Sequence, residues 1–249
     1  LRRYGSRVST DGLAHDSALR VMMGNLARGA ARHDRCLEPL LSIWDSHHLR
    51  VSSRVMRSRD GANMVEDQLG WRVHSPTEKE VVASVESGLQ PELSMDKLPM
   101  TCLLPLSFPI ERRDPRISGP LWIGSLGSKE AMSSMTEEKA LMLCVPDYEE
   151  EDVSGWSERD FEMERRRTLR AIRNIEGESC VIDSAHHILV DDLSSWLEIG
   201  SPPSPTLMVE ELRGMGYKAS LAHYGKPSFR TNASWDDIVE GAIGLQPPM

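Results

Sequence analysis

From Ala14 to Arg32 the apolar residues Leu19, Met22, Met23, Leu26 and Ala30 recur at three- and four-residue spacing, the period of a helix with one buried face. Asp11 or Asp16 is placed to cap its start, and Arg20, Arg28 and Arg32 fall on its other faces. Leu40–Trp44 is a short strand candidate after Pro39, and Leu49–Met56 alternates Leu49, Val51 and Val55 with polar residues, a second strand. Ala62–Leu69 reads as a short helix closed by Gly70. From Val73 to Ser118 prolines and weak periodicity predict loops and poor order. Leu121–Leu126 reads as a strand, then Ser128–Met135 and Thr136–Cys144 as helices. Ser157–Ile175 is a long charged helix with Ser157 as its cap. His187–Val190 is a strand, and Asp191–Leu197 and Thr206–Met215 are helices parted by Pro202-Pro203. Strands at Tyr217–His223 and Ser228–Thr231 flank a turn at Gly225–Pro227, and Ser234 caps a last helix to Ile243.

The 249 residues suffice for one large or two ordinary domains, and a hydrophobic share of 39% with 27% charged residues fits a globular chain. No apolar run is long enough for a membrane span, and the first residues lack the apolar core of a signal peptide. No membrane partner is therefore expected, and an intracellular location with reduced thiols is. None of the four cysteines forms a C-x-x-C pair, and the histidine pairs His47-His48 and His186-His187 lack metal-ligand spacing, so no metal is expected.

A net charge of −9 looks wrong for a nucleic-acid binder, but its distribution does not. Eleven acids against two bases lie between Glu137 and Glu164, whereas Leu1–Asp60 holds eleven arginines against six acids. A polyanion responds to the local patch. Arg2, Arg3, Arg20, Arg28, Arg32 and Arg50 are candidate phosphate partners, although a solvated surface reads equally well. His223, Arg230, Asn232 and Trp235 place donors and stackers around one turn; a hairpin with a buried Trp235 fits as well.

Three blocks carry a family resemblance: Leu19–Val55 with ARGAARHDRCLEPLL and HHLRVSSRV, GPLWIGSL at Gly119–Leu126, and Leu207–Ile238. In that order they resemble the tRNA guanine-N2 dimethyltransferases, which methylate guanosine 26 of tRNA. Leu1–Gly5, LRRYG, is similar to the segment just after the family's catalytic loop. Departures are Leu49 where an aromatic is usual, Arg230 for a lysine, Ala233-Ser234 for Ala-Pro, and a lone Cys102 where many relatives carry cysteine pairs.

The resemblance implies an α/β chain: the end of a Rossmann-like methyltransferase domain (1–72), a poorly ordered linker or insert (73–118), and a smaller α/β, tRNA-facing domain (119–249). It implies tRNA as partner and S-adenosylmethionine as cofactor of the intact enzyme. The chain itself lacks a G-x-G-x-x-G loop and an acid-Pro-aromatic tetrapeptide; Ser201-Pro202-Pro203-Ser204 and Asp114-Pro115-Arg116 have no ring to stack on a base. It therefore reads as a partial sequence, with no catalytic residue and no cofactor bound by this chain alone. The competing reading is a non-catalytic RNA-binding or scaffold protein derived from the family.

Overall fold

A computed structural model describes residues 4–45, 48–111, 113–143, 154–184, 186–224 and 226–246. Helix α1 spans Ala14–Ala31 and buries Leu19, Met23 and Ala27, one residue per turn along one face. That face lies on an antiparallel hairpin of β1 (Arg35–Asp45) and β2 (His48–Arg57) and on a strand far along the chain, β5 (Ile117–Trp122). The hairpin register shifts between Pro39 and Leu41, where a proline without an N–H interrupts the ladder. A short helix α2 (Arg59–Asn63), started by Ser58 Oγ accepting from the Gly61 N–H at 3.0 Å, and a 3-10 turn lead to β3 (Leu69–His74).

The stretch 73–118, expected to be loops, contains regular structure. Helix α3 (Glu78–Glu86) opens with a capping box between Thr77 and Glu80, and strand β4 (Thr101–Pro105) buries Cys102 and Leu104 on one face. The prolines do not forbid this, because Pro105 ends an edge strand and Pro76 precedes a helix cap. The three strands form one antiparallel sheet in the order β4-β3-β5. At its centre Gly70 lets two backbones meet: a Cβ there would stand 2.0 Å from the Leu104 carbonyl oxygen.

Beyond β5 come α4 (Lys129–Ser133), α5 (Glu137–Leu143) and the long α6 (Glu158–Glu178). A second three-stranded sheet, β6 (His186–Leu189), β7 (Ala219–Leu221) and β8 (Ser228–Thr231), has the order β6-β8-β7, again antiparallel. Helices α7 (Val190–Leu197), α8 (Pro205–Gly214) and α9 (Trp235–Gly244) cover it, with Phe229, Leu193, Met208, Leu212, Trp235 and Ile238 in their shared core.

The class is α/β, as expected. Every pairing among the described strands is antiparallel, so the parallel strands of a Rossmann-like sheet are not among them. The expected division at 72 and 119 crosses packed structure: β3 pairs with β5, and one core joins Leu19, Met23 and Leu69 to Trp122, Ile175 and Tyr224. Among the described residues no helix is long and apolar enough to cross a membrane.

Candidate functional site

Strand β8 is the middle strand of its sheet, and its alternate residues face different layers. Phe229 joins the core under α8 and α9, while Arg230 turns toward α1 and the end of α6. There Arg230 Nη2 donates to Asp16 Oδ1 at 2.9 Å and to the Tyr224 hydroxyl at 3.1 Å, and its Nε donates to Glu178 Oε1. Glu178 Oε2 lies 2.6 Å from His223 Nδ1. Asp16 Oδ2 accepts from Arg20 Nε at 2.7 Å, and Arg20 Nη1 also caps the carbonyls of Trp122 and Gly124 at 3.1 Å each. His187 Nδ1 stands 3.4 Å from Asp16 Oδ1, within Coulomb reach though not aligned as a hydrogen bond, while its Nε2 meets Ser228 Oγ at 3.3 Å. All of these side chains are buried.

Two guanidinium ions thus balance two buried carboxylates. Burial alone would raise Glu178, but the adjacent His223 and Arg230 hold its carboxyl down at about 2. Burial also works against Asp16, and Arg20, His187 and Arg230 outweigh it, keeping that carboxyl well below the usual range. Burial pushes His187 down to about 4, with the charge of Arg230 adding to it, so its imidazole is neutral at pH 7. Burial likewise raises the Tyr224 phenol. Buried ion pairs add little net stability over an apolar core, yet removing one partner costs about 3–5 kcal/mol. The cluster ties α1, α6, β5, β6 and β8 into one geometry rather than offering a reactive group.

Arg20, His223, Arg230 and Trp235 are therefore interior residues, and burial removes the solvent access that phosphate pairing or stacking on RNA requires. Trp235 starts α9 behind the Ser234 cap and packs in the core under that helix. Arg28 is half-buried beside Glu66, its Nε 3.4 Å from Oε1. Arg32 and Arg50 are exposed. Asn232 is exposed too, but its Oδ1 accepts from the Lys218 N–H at 2.7 Å and fastens the strand connection. Arg2, Arg3 and Gly225 lie outside the described residues. Of the two acids at the centre, Glu178 was not singled out from the sequence, and Asp16, expected as a candidate helix cap, instead pairs inward with Arg20 and Arg230. The spacing of Asp16 and Arg20, four apart on one helix, was the available signal.

The surface above the cluster holds a layered group: the His15 ring stacks on Trp44 at 3.8 Å and 11°, and Lys226 Nζ stands 5.9 Å from the Trp44 ring on the same group. Beneath it, Asp16, Arg20, Arg72, Gln90 and His187 line a cavity of about 20 Å³, room for one water. Arg72 Nε and Nη1, Gln90 Nε2 and His187 Nδ1 lack a protein partner there, which suits a hydration site. A nucleoside-sized cofactor does not fit it, nor the neighbouring hollows of about 10 Å³ and 20 Å³. The Cys102 thiol, pushed up to about 12 by burial and Glu80, is no nucleophile. Among the described residues no three His, Cys, Asp or Glu side chains gather as metal ligands.

Comparison with known proteins agrees with the order of blocks in the sequence. The family model for N2,N2-dimethylguanosine tRNA methyltransferase matches residues 1–242. A tRNA (guanine(26)-N(2))-dimethyltransferase of Aeropyrum pernix is 28% identical over 250 residues, covering 98% of this chain and 52% of the relative. Its counterpart in Methanosphaerula palustris is 27% identical over 239 residues, covering 96% and 55%. The chain spans about half the length of the curated relatives it matches. The structure of Trm1 from Pyrococcus horikoshii with S-adenosyl-L-methionine superposes with a TM-score of 0.67 at 18% identity, over 97% of this chain and 53% of the other, a likeness of fold.

Proposed function

This chain belongs to the N2,N2-dimethylguanosine tRNA methyltransferase family, and we propose that it is the tRNA-facing part of an enzyme that dimethylates N2 of guanosine 26 in tRNA with S-adenosylmethionine. The observation that carries the proposal is the family match along residues 1–242. The geometry supports a division of labour. The exocyclic amine of guanine is a poor nucleophile, so its methylation depends on holding substrate and methyl donor in line. The described residues contribute a rigid scaffold to that alignment, since the buried cluster locks α1, on which the β1–β2 hairpin packs, to the second sheet. Arg28 on α1, Arg32 just past its end and Arg50 on the hairpin then meet phosphates as a fixed array. Cofactor and catalytic loop are supplied by residues other than those described.

Two measurements test this. Calorimetric titration of the chain with S-adenosylmethionine is expected to give no micromolar binding, and an assay on unmodified tRNA no turnover; either positive result overturns the division of labour. Binding of unmodified tRNA followed against salt is expected to show a steep slope, shallower by about one unit in each of Arg32→Ala and Arg50→Ala. Slopes and affinities equal to the parent's would leave those arginines as solvated surface. The competing reading, a non-catalytic RNA-binding or scaffold protein, shares the tRNA binding. It is distinguished by joining the chain to the cofactor-binding half of a relative and finding no methyl transfer.

A further inference from the structure

Helix α6 carries five arginines and no acid between Arg165 and Asn174, in a chain whose overall charge is −9. At 100° per residue, Arg166, Arg170 and Arg173 fall on one face, and all three are exposed. The opposite face buries Ile175 and Glu178. Helix self-stabilisation does not account for this stripe. The macrodipole favours bases in the last turn, but the last turn of α6 has none and instead carries Glu176 and Glu178. Ion pairing along the helix accounts for only part of it. Arg166 meets Glu162 four residues earlier at 2.9 Å and Arg173 meets Glu137 of α5, both at the surface, where such pairs are weak and readily exchanged. Arg170 makes no side-chain hydrogen bond or ion pair with any described residue.

We propose that Arg166, Arg170 and Arg173 form a second phosphate-tracking surface on α6, which holds a stretch of tRNA backbone apart from the arginines of α1 and the hairpin. The inference rests on the tRNA reading above and adds a site to it. The stripe extends roughly 10 Å along the helix axis. A nucleic-acid strand presents one phosphate per roughly 3.4 Å of axis, so the three guanidinium groups match about three successive phosphates. Their forked donors suit phosphate oxygens. Helix α4 packs against both β1 and α6 and so links the hairpin to the helix that carries the stripe.

The test is fluorescence anisotropy of the whole chain with unmodified tRNA between about 50 and 200 mM salt. The triple variant Arg166→Gln/Arg170→Gln/Arg173→Gln is expected to lose at least about tenfold in affinity at the low-salt end and to show a slope shallower by about two to three units. Triple replacement by Lys, which keeps the charges, is expected to retain the slope. Arg170→Gln alone, which breaks no ion pair and so leaves the fold intact, is expected to shift the slope by about one. If the parent binds with a steep slope and the Gln triple and Arg170→Gln bind identically to it, the α6 surface is overturned while the tRNA reading stands. If the parent shows no salt-dependent binding, both fall. If an acidic polypeptide such as polyglutamate binds as tightly as tRNA and loses as much in the Gln triple, the assignment to RNA is overturned.

Discussion

Arg230→Met is the most informative perturbation of the buried cluster. The Arg230 side chain is 1% exposed and is shared between Asp16 and Glu178. Methionine matches its length but takes from Asp16 and Glu178 the cation they share. Breaking a buried pair from one side costs about 3–5 kcal/mol. For a chain of this size that is a fall of roughly 6–20 °C in Tm. The pH dependence is more specific. In the parent, Glu178 is held at about 2 and Asp16 lower than its usual range. Both lie below the unfolded values near roughly 4, so their contribution is complete above about pH 4.5 and is lost as pH falls toward about 2. In the variant burial acts with less opposition and raises both groups. The folded variant then takes up protons that the unfolded chain does not, so its stability declines as pH rises from about 5 to 7. We predict a gap between parent and variant in urea unfolding that is wider at about pH 7 than at about pH 5. Adding Glu178→Gln to the variant should narrow the gap at neutral pH. A loss below about 1 kcal/mol, or a gap equal at both pH values, would show that water screens the cluster and refute the reasoning.

His186 and His187 are both held near 4 by burial, so the unfolded chain gains protons before the folded one as pH drops below about 6.5. Each should cost up to about 3 kcal/mol of stability by about pH 4, and His186→Phe should flatten Tm against pH over that range; an unchanged profile would contradict the burial. Gly70→Ala should cost more than about 2 kcal/mol, because its Cβ would sit 2.0 Å from the Leu104 carbonyl and force β3 from β4. Gly29→Ala, in open space on α1, should instead gain about 0.5–1 kcal/mol. Equal urea midpoints for the two glycine variants would overturn the close approach of those strands.

Periodic elements were legible in the sequence. Helix α1 runs Ala14–Ala31 against an expected Ala14–Arg32, β8 is Ser228–Thr231 as expected, and Ser234 caps α9. Strand β1 was under-read, since its first half, Arg35–Pro39, pairs with Ser53–Arg57 through a ladder that mixes apolar pairs (Cys36 with Met56, Leu37 with Val55) with polar ones and leaves Val55 and Met56 exposed, which alternation does not flag. The stretch 73–118 was misjudged because its prolines outweighed two signals: the Thr77-x-x-Glu80 capping box and the alternation of Cys102 and Leu104. The charge cluster was scarcely legible. Arg230 resembles a surface donor in its local sequence, and only the acids brought from α1 and α6 make it an interior one. Exposure of the hairpin arginines, in contrast, follows from the polar positions of β2 and needed no tertiary information.

Asp16 and Arg230 are 214 residues apart in the chain. At roughly 5–20 residues per second of synthesis, α1 emerges on the order of 10–40 s before the cation that completes its buried face. Throughout that interval α1 carries Asp16 with one of its two arginine partners missing, so docking it into a buried core is unfavourable. Contacts of such long sequence separation form slowly even in a finished chain, because the loop must close before they reward it. The order of birth and the order of settling are therefore opposed: strand β8, made long after α1, is what lets that helix come to rest.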